Sequence, residues 1–367
     1  IENRLIYFEF INRISYSEEI IHKLFLAHIN QIHCDYGIDE PQKPLFTICI
    51  FARNSLSRLE MRESSDRLEW ISFLQVFAII LVVIGHSFYH HEDNIVYEWI
   101  YSFHMPLFFF ISGHLLHVSV KRSGKPLGQY FGLRALAKKA RRLLLPYWLI
   151  SSLVFVPKAF LGNFAGREVD FSWAGYAHML FYPNDNVISI YWFLPTLFLV
   201  FCIAYVGGKV SLVLKSRYWI LPVLVASYFL AIFFPRYSLE ILNYPGVIAF
   251  LFYFVLGYAF DVEFVRAQLL KDNRVKPVPA MAFGVVMCMA FYVYPGHDWN
   301  HPFYGFTGII MSLCLAGLYC QMGLRFFRPF YGSTYAIYLF SWFFQVASQQ
   351  VFLSVTGAHW GVGSALA

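Results

Sequence analysis

Long stretches without a charged residue recur along most of this chain, and they restrict its possible folds more than any other feature. Nine stretches hold no Asp, Glu, Lys or Arg: 71–91, 99–118, 143–157, 187–208, 218–235, 241–260, 277–297, 302–324 and 329–367. A helix of about 20 apolar residues crosses the roughly 30 Å hydrocarbon layer of a bilayer. The 143–157 stretch is short, but residues 159–164 extend it and Lys158 can reach the interface. The pattern predicts an all-α, polytopic transmembrane helix bundle.

The last stretch, 329–367, is too long for one span. We expect residues 357–360 to turn the chain, so that residues 361–367 open a tenth helix of which only the start is present. The count is therefore about ten helices, with the last one truncated. Composition agrees, because 58% of residues are hydrophobic and 14% are charged, against about 45–50% and 25% in soluble domains.

Positive charge between the predicted spans falls almost entirely on one side. Short cytoplasmic loops retain Lys and Arg, so the amino terminus of the bundle is expected in the cytoplasm and the first span ends outside, near His86. The loops assigned to the outside hold only Arg167 and Arg236. The net charge of +6 reflects this loop bias, so no nucleic-acid partner is expected. The cations on the cytoplasmic side are Lys121, Arg122, Lys125, Arg134, Lys138, Lys139, Arg141, Arg142, Lys209, Lys215, Arg217, Arg266, Lys271, Arg274, Lys276, Arg325 and Arg328.

Residues 1–60 differ from the rest of the chain. They show no sustained helical or strand period and no signal-peptide core. The first methionine of the chain is Met61, just before the first span. Two interpretations stay open: residues 1–60 were translated from upstream of a natural start at Met61, or they form a genuine cytoplasmic segment. Residues 61–367 are expected to form the transmembrane domain.

Histidines mark the outward ends of the first two predicted spans. His86 closes the first span and His104 opens the second. Imidazole titrates near neutral pH, so a histidine held near a hydroxyl can act as its general base. Gln75 precedes His86 by eleven residues, which places both on one helix face about 16 Å apart. We interpret His86 as a catalytic candidate over a purely structural histidine, and for His104 both interpretations stay open.

Other candidate groups have competing structural explanations. Ser112, followed by Gly113, is most simply a point of close helix packing, and a nucleophilic role would need a base beside it. Trp192 fits either an interfacial aromatic belt or a substrate contact. The cations Lys138, Arg141 and Arg142 precede the third span, where they either fix topology or bind the phosphates of coenzyme A.

No familiar metal or nucleotide motif is present. The six cysteines lack paired metal-ligand spacing, and the sequence has no HExxH, GxSxG or Gly-rich phosphate loop. No metal site is therefore predicted.

Three segments resemble one family. Residues Ala78–His86, Ser102–Gly113 and Arg141–Tyr147 resemble motifs of the acyltransferase-3 family of membrane O-acyltransferases, especially its sugar O-acetyltransferase branch. The resemblance extends over about Arg67–Ala367, and its specific parts are the blocks around His86 and His104.

The resemblance implies a ten-helix enzyme of the bacterial cytoplasmic (inner) membrane. Such a protein would use cytosolic acetyl-CoA as co-substrate, with no permanently bound cofactor, to acetylate a cell-envelope or exported glycan. It also implies an essential histidine at His86 and donor-binding cations at Arg141 and Arg142. The chain departs from the family at Gln75, where many members have Arg or Lys, and at Ser341, where many have His.

The expected mechanism has His86, aided by His104, taking the proton of a sugar hydroxyl as it attacks an acyl thioester. A rival interpretation is a non-catalytic membrane component, such as a polysaccharide exporter or a relative that has lost activity. Gln75 and Ser341 favour the rival, and at Gln75 the reason is that an amide can donate and accept hydrogen bonds but cannot neutralise charge. Retention of His86, His104 and Ser112–Gly113 opposes it.

Overall fold

Helix follows helix through all the described parts of the chain. The structure, a computed structural model, describes residues 69–87, 95–160, 169–214, 219–234, 241–260 and 302–356. These ranges contain ten α-helices: α1 (Glu69–Gly85), α2 (Ile95–Ser123), α3 (Leu127–Tyr130), α4 (Leu133–Phe160), α5 (Trp173–Phe181), α6 (Phe193–Leu214), α7 (Ile220–Phe233), α8 (Tyr244–Ala259), α9 (Pro302–Gln321) and α10 (Thr334–Thr356). They also contain 3-10 helices at Pro183–Asp185, Ser189–Trp192, Ile241–Asn243 and Arg328–Phe330.

The predicted all-α bundle is confirmed. A helix lies in eight of the nine uncharged stretches. The stretch 277–297, the segment 1–60 and the expected tenth span at 361–367 lie outside the described residues. Among the described residues, four segments are long and apolar enough to cross a membrane, namely Ile95–Ser123, Ser189–Leu214, Ile241–Ala259 and Pro302–Gln321.

Helix α2 is the centre of the described bundle. It packs most extensively against α8 and also against α9. All six residues from Ser102 to Leu107 are buried, so α2 has neighbours on every side at that level. Its contact with α8 depends on two glycines, because a Cβ at Gly113 would lie 2.0 Å from the Phe254 carbonyl oxygen and one at Gly257 would lie 2.0 Å from the Phe110 carbonyl oxygen. The backbones of α2 and α8 therefore touch directly.

Polar contacts hold both ends of α1. At its start, Glu69 accepts two hydrogen bonds from Arg328, at 2.8 and 3.0 Å, and this contact raises the pKa of the Arg328 guanidinium. At its end, Gln345 of α10 donates from Nε2 to the Val83 carbonyl oxygen at 2.7 Å. The last carbonyls of a helix have no partner within the helix. Gln345 satisfies one of them and so holds the end of α1, which leads into His86.

The short helix α5 was not predicted from the sequence. Ser172 caps its start by accepting a hydrogen bond from the Gly175 amide at 2.9 Å. At its other end, Tyr147 of α4 donates to the carbonyl oxygens of Met179 and Leu180, each at 3.1 Å. Trp148 and Ser152 of α4 also contact the Tyr176 hydroxyl, at 3.0 and 2.7 Å, so several hydrogen bonds anchor α5 to α4.

Candidate active site

Two cavities lie inside the bundle, and Tyr338 of α10 lines both. The first, about 150 Å³, is called here the basic cavity. Its polar lining comes from Gln75, Ser112, Lys139, Arg142, Thr334, Tyr335 and Tyr338. The second, about 220 Å³, is called the histidine cavity. Its polar and aromatic lining includes His86, Tyr101, Ser102, His104, Asn184, Trp192, Asn243, Phe250, Tyr253 and Tyr338.

His86 follows the last turn of α1 and contacts Tyr101 of α2. The Nδ1 atom of His86 lies 3.1 Å from the Tyr101 hydroxyl oxygen, and the two rings meet edge to face. Gly85 makes room for this pair, because a Cβ there would lie 3.0 Å from the Tyr101 ring. When Nδ1 donates its proton to Tyr101, the lone pair of the neutral imidazole is on Nε2. Tyr101 therefore fixes the orientation of the His86 ring, and its hydroxyl is compatible with the tautomer that leaves Nε2 free to accept a proton.

His104 is buried beside the same tyrosine, with only 2% of the residue exposed. Its Nδ1 atom lies 2.8 Å from the Ile100 carbonyl oxygen. A carbonyl only accepts hydrogen bonds, so Nδ1 carries the proton and Nε2 is left as an acceptor. The Tyr101 ring packs edge to face on His104, with centroids 4.7 Å apart. Two imidazoles thus flank one phenol in the wall of the histidine cavity.

Amide side chains form another part of this wall. Asn243 donates from Nδ2 to Thr196 Oγ1 at 2.8 Å and accepts at Oδ1 from Asn184 at 3.3 Å. Leu242 and Asn243 both have positive φ, at 55° and 51°. Non-glycine residues in this region cost about 1–3 kcal/mol and are concentrated at functional sites. Gly246 accommodates the bent segment, because a Cβ there would lie 2.4 Å from Asn243 Nδ2.

The basic cavity contains two cations on one face of α4. Lys139 Nζ lies 4.2 Å from the centre of the Phe201 ring. The Arg142 guanidinium lies 5.3 Å from the centre of the Tyr335 ring, and the Tyr335 hydroxyl donates to the Arg142 carbonyl oxygen. Gln75 and Ser112 line the same cavity. Cations, an amide and a hydroxyl together form a surface suited to phosphate and carbonyl oxygens.

Comparison with known proteins decides the family. Residues 68–367 match the model of the acyltransferase-3 family, described as an acyltransferase domain. The chain belongs to this family. Nodulation protein NolL of Sinorhizobium fredii (strain NBRC 101917 / NGR234) is 27% identical over 252 residues, which cover 65% of this chain and 59% of NolL. The chain therefore spans less than two thirds of the length of that relative. No solved structure matches it.

The acyltransferase-3 domain brings the predicted site residues into two groups. His86, His104 and Trp192 line the histidine cavity, whereas Gln75, Ser112 and Arg142 line the basic cavity. Ser112 is thus on the lining of a different cavity from both histidines. Lys138 and Arg141 are exposed and line neither cavity.

Sequence reasoning did not single out several residues of the site. Tyr101, Asn184, Asn243 and Tyr338 line the histidine cavity, Lys139 lines the basic cavity, and Gln345 donates to the Val83 carbonyl oxygen just before His86. A signal for Asn243 and Gln345 was available, since an amide inside an apolar helical segment needs a partner and is a functional candidate. The tyrosines gave no such signal, because the chain contains 25 of them.

Proposed function

We propose that this chain is an integral-membrane O-acyltransferase that moves an acetyl group from acetyl-CoA to a hydroxyl of a cell-envelope or exported glycan. One observation carries the proposal. A cavity with a histidine hydrogen-bonded to a tyrosine adjoins a cavity with two cations, and the two share a single tyrosine in their walls. One cavity suits a base for a hydroxyl acceptor, and the other suits an anionic donor.

The donor is assigned to the basic cavity. Coenzyme A carries phosphates, which Arg and Lys bind through charge-assisted hydrogen bonds. Lys139 and Arg142 supply the N–H groups for these hydrogen bonds at the cavity, while Lys138 and Arg141 add positive charge on the exposed face of α4. Gln75 can donate to a phosphate or carbonyl oxygen without neutralising charge. In this cavity Lys139 and Arg142 supply the positive charge, and Gln75 adds an uncharged hydrogen-bonding group.

The acceptor is assigned to the histidine cavity. Trp192 offers an aromatic face, and Asn184 and Asn243 offer amides that can donate to and accept from hydroxyl groups. Ligand pockets commonly combine apolar and aromatic walls with a few placed polar groups. This combination fits a sugar, which has hydroxyls at its edge and C–H groups on its faces.

The reaction proceeds by general base catalysis. Nε2 of His86 takes the proton of the sugar hydroxyl as that oxygen attacks the thioester carbonyl carbon. The carbon–sulfur bond then breaks, coenzyme A leaves as a thiolate that receives the proton, and the sugar keeps the acetyl ester. In the reactive tautomer His86 Nδ1 donates its proton to the Tyr101 hydroxyl, which leaves the lone pair on Nε2. Nε2 of His104 accepts a hydrogen bond from a second hydroxyl of the sugar and so orients the acceptor.

Substitution of His86 tests the proposal. Base catalysis contributes about 10²- to 10⁴-fold, so His86→Gln should nearly abolish glycan acetylation, because glutamine forms hydrogen bonds but takes no proton near neutral pH. Tyr101→Phe keeps the ring and removes one hydrogen bond, so we expect a decrease of about threefold to tenfold. The measurement is the O-acetyl content of surface glycan in a deletion strain complemented with each variant at equal protein level.

The control is His178→Gln, which changes an exposed histidine that pairs with Asp185 and lines neither cavity. It should acetylate like the wild type. Near wild-type acetylation by His86→Gln would overturn the base assignment and make His104 the candidate. Loss of the whole polymer in the deletion strain, in place of loss of its acetyl groups, would identify an exporter.

A further inference from the structure

We propose that the ring of Tyr338 forms a partition between the basic cavity, where acetyl-CoA binds, and the histidine cavity. The thioester passes this partition only when an acceptor occupies the histidine cavity. The inference rests on the proposed function and assigns a positioning role to a residue outside the reacting groups. Its basis is the placement of one side chain. Tyr338 is 7% exposed and lines both the basic cavity and the histidine cavity.

The ring of Tyr338 is anchored at its hydroxyl, which donates to the Ile190 carbonyl oxygen. A reciprocal bond joins the same two segments, because the Tyr191 hydroxyl donates to the Leu339 carbonyl oxygen. The 3-10 helix Ser189–Trp192 and helix α10 are therefore cross-linked by two tyrosines. Leaving a buried carbonyl without its hydrogen-bond donor costs free energy. This pair of bonds therefore favours the position in which the Tyr338 ring separates the two cavities, called here the closed position.

Aromatic contacts brace the ring from the side. The Phe193 ring meets Tyr338 edge to face with centroids 5.6 Å apart, and the Tyr191 ring lies 6.1 Å away. Phe193 also lines the basic cavity. The partition is thus held by the turn that leads into α6.

The segment that anchors Tyr338 also forms the acceptor wall. Ile190 and Trp192 both line the histidine cavity. A sugar that stacks on Trp192 therefore contacts the short helix whose carbonyl holds the tyrosine closed. Movement of that helix on binding would release the ring, which links opening to the presence of an acceptor.

The chemistry of the donor requires such a passage. The phosphates of acetyl-CoA stay with Lys139 and Arg142, while its thioester is at the far end of a neutral arm and must reach His86 in the other cavity. If the passage were open without an acceptor, water could take the place of the sugar. His86 would accept a proton from water, the water oxygen would attack the thioester carbonyl, and acetate and coenzyme A would leave.

The test measures hydrolysis of acetyl-CoA without any glycan, in protein reconstituted in lipid nanodiscs. Tyr338→Ala should raise acetate release at least about tenfold over the wild type, because a base that accelerates attack by about 10²- to 10⁴-fold now acts on water. Tyr338→Phe keeps the ring but loses its anchor, so its increase should be smaller, about twofold to tenfold. The double variant Tyr338→Ala with His86→Gln should lose the increase.

Tyr228→Ala is the matched control, since this half-buried tyrosine of α7 lines neither cavity; its hydrolysis should equal that of the wild type. If both Tyr338 variants hydrolyse acetyl-CoA at the wild-type rate, the partition is overturned. Should Tyr338→Ala fail to insert, the same comparison with Tyr338→Phe decides. Glycan acetylation by wild-type cells tests the proposed function separately, so acetylation with unchanged hydrolysis in the variants removes only the partition.

Discussion

A cation of α4 can contact a ligand in the basic cavity only if it lies on the helix face that lines this cavity. Adjacent residues of a helix differ by about 100° in direction. Half-buried Lys139 and exposed Arg142, three residues apart, line the basic cavity, whereas Lys138 and Arg141 are exposed and line neither cavity. The four residues look equivalent as a basic cluster, but they form two pairs on two faces of α4.

This pairing gives a prediction about donor binding. Removing one charge-assisted hydrogen bond costs about 1.5–3 kcal/mol, so Lys139→Ala or Arg142→Ala should raise the KM for acetyl-CoA about tenfold to 100-fold. Lys138→Ala and Arg141→Ala remove the same charge from the exposed face and should change that KM much less. The measurement is the acetyl transfer rate against acetyl-CoA concentration in nanodiscs. An equal rise for Arg141→Ala would place the donor phosphates on the exposed face.

At the scale of the element, the contact between α2 and α8 positions side chains that line both cavities. Gly113 and Gly257 let the two backbones touch, and helix α2 carries Tyr101, His104 and Ser112 into the two cavities. Small residues at helix contacts in membranes allow this close approach. Any side chain at these glycines would separate α2 from α8 and displace groups in both cavities.

Gly257→Ala should therefore destabilise the protein. The new Cβ would meet the Phe110 backbone, which cannot move aside as a side chain can, and overpacking of this kind costs about 1–3 kcal/mol or more. Gly317→Ala in α9 is the control, because a Cβ there meets nothing within 4 Å and alanine favours a helix by about 1 kcal/mol. Thermal unfolding of the detergent-purified variants measures the difference. Equal unfolding temperatures would show that α2 and α8 do not pack as described.

At the scale of the whole molecule, the proposed orientation places the donor and acceptor sides on opposite faces of the inner membrane. Lys125 lies between the end of α2 and the start of α4, close in sequence to Lys138–Arg142. Asp170 lies beyond the other end of α4. The positive-inside rule predicts that the Lys125 connection lies in the cytoplasm. Acetyl-CoA would then enter from the cytosol, and the glycan would be modified on the outside.

Cysteine labelling tests this orientation. In intact cells a membrane-impermeant maleimide should label Asp170→Cys and not Lys125→Cys, since both positions are exposed but on opposite sides. Permeabilised cells should label both, which controls for reactivity, and the unsubstituted protein gives the background from native cysteines. Labelling of Lys125→Cys alone in intact cells would invert the proposed topology.

The sequence by itself determined the class of fold and singled out His86 as one residue of the candidate site. Uncharged stretches of membrane-spanning length can satisfy their backbone groups in lipid as helices, so the spacing of charged residues along the chain is enough to predict the bundle. His86 could also be picked out from the sequence, because a histidine at the end of an apolar span is costly and therefore a functional candidate. Gln75, on the same face of α1, lines the other cavity.

Only the tertiary structure decided which residues meet. Lys139 continues the buried stripe of α4, four residues before Leu143, so its face was readable, but its neighbours Gln75 and Ser112 come from other helices. Tyr338 carries no local signal, and its position between the cavities depends on bonds to Ile190 and Leu339 across 148 residues of chain. Periodicity reports which face of a helix is buried, whereas the partner on that face depends on how all the helices pack.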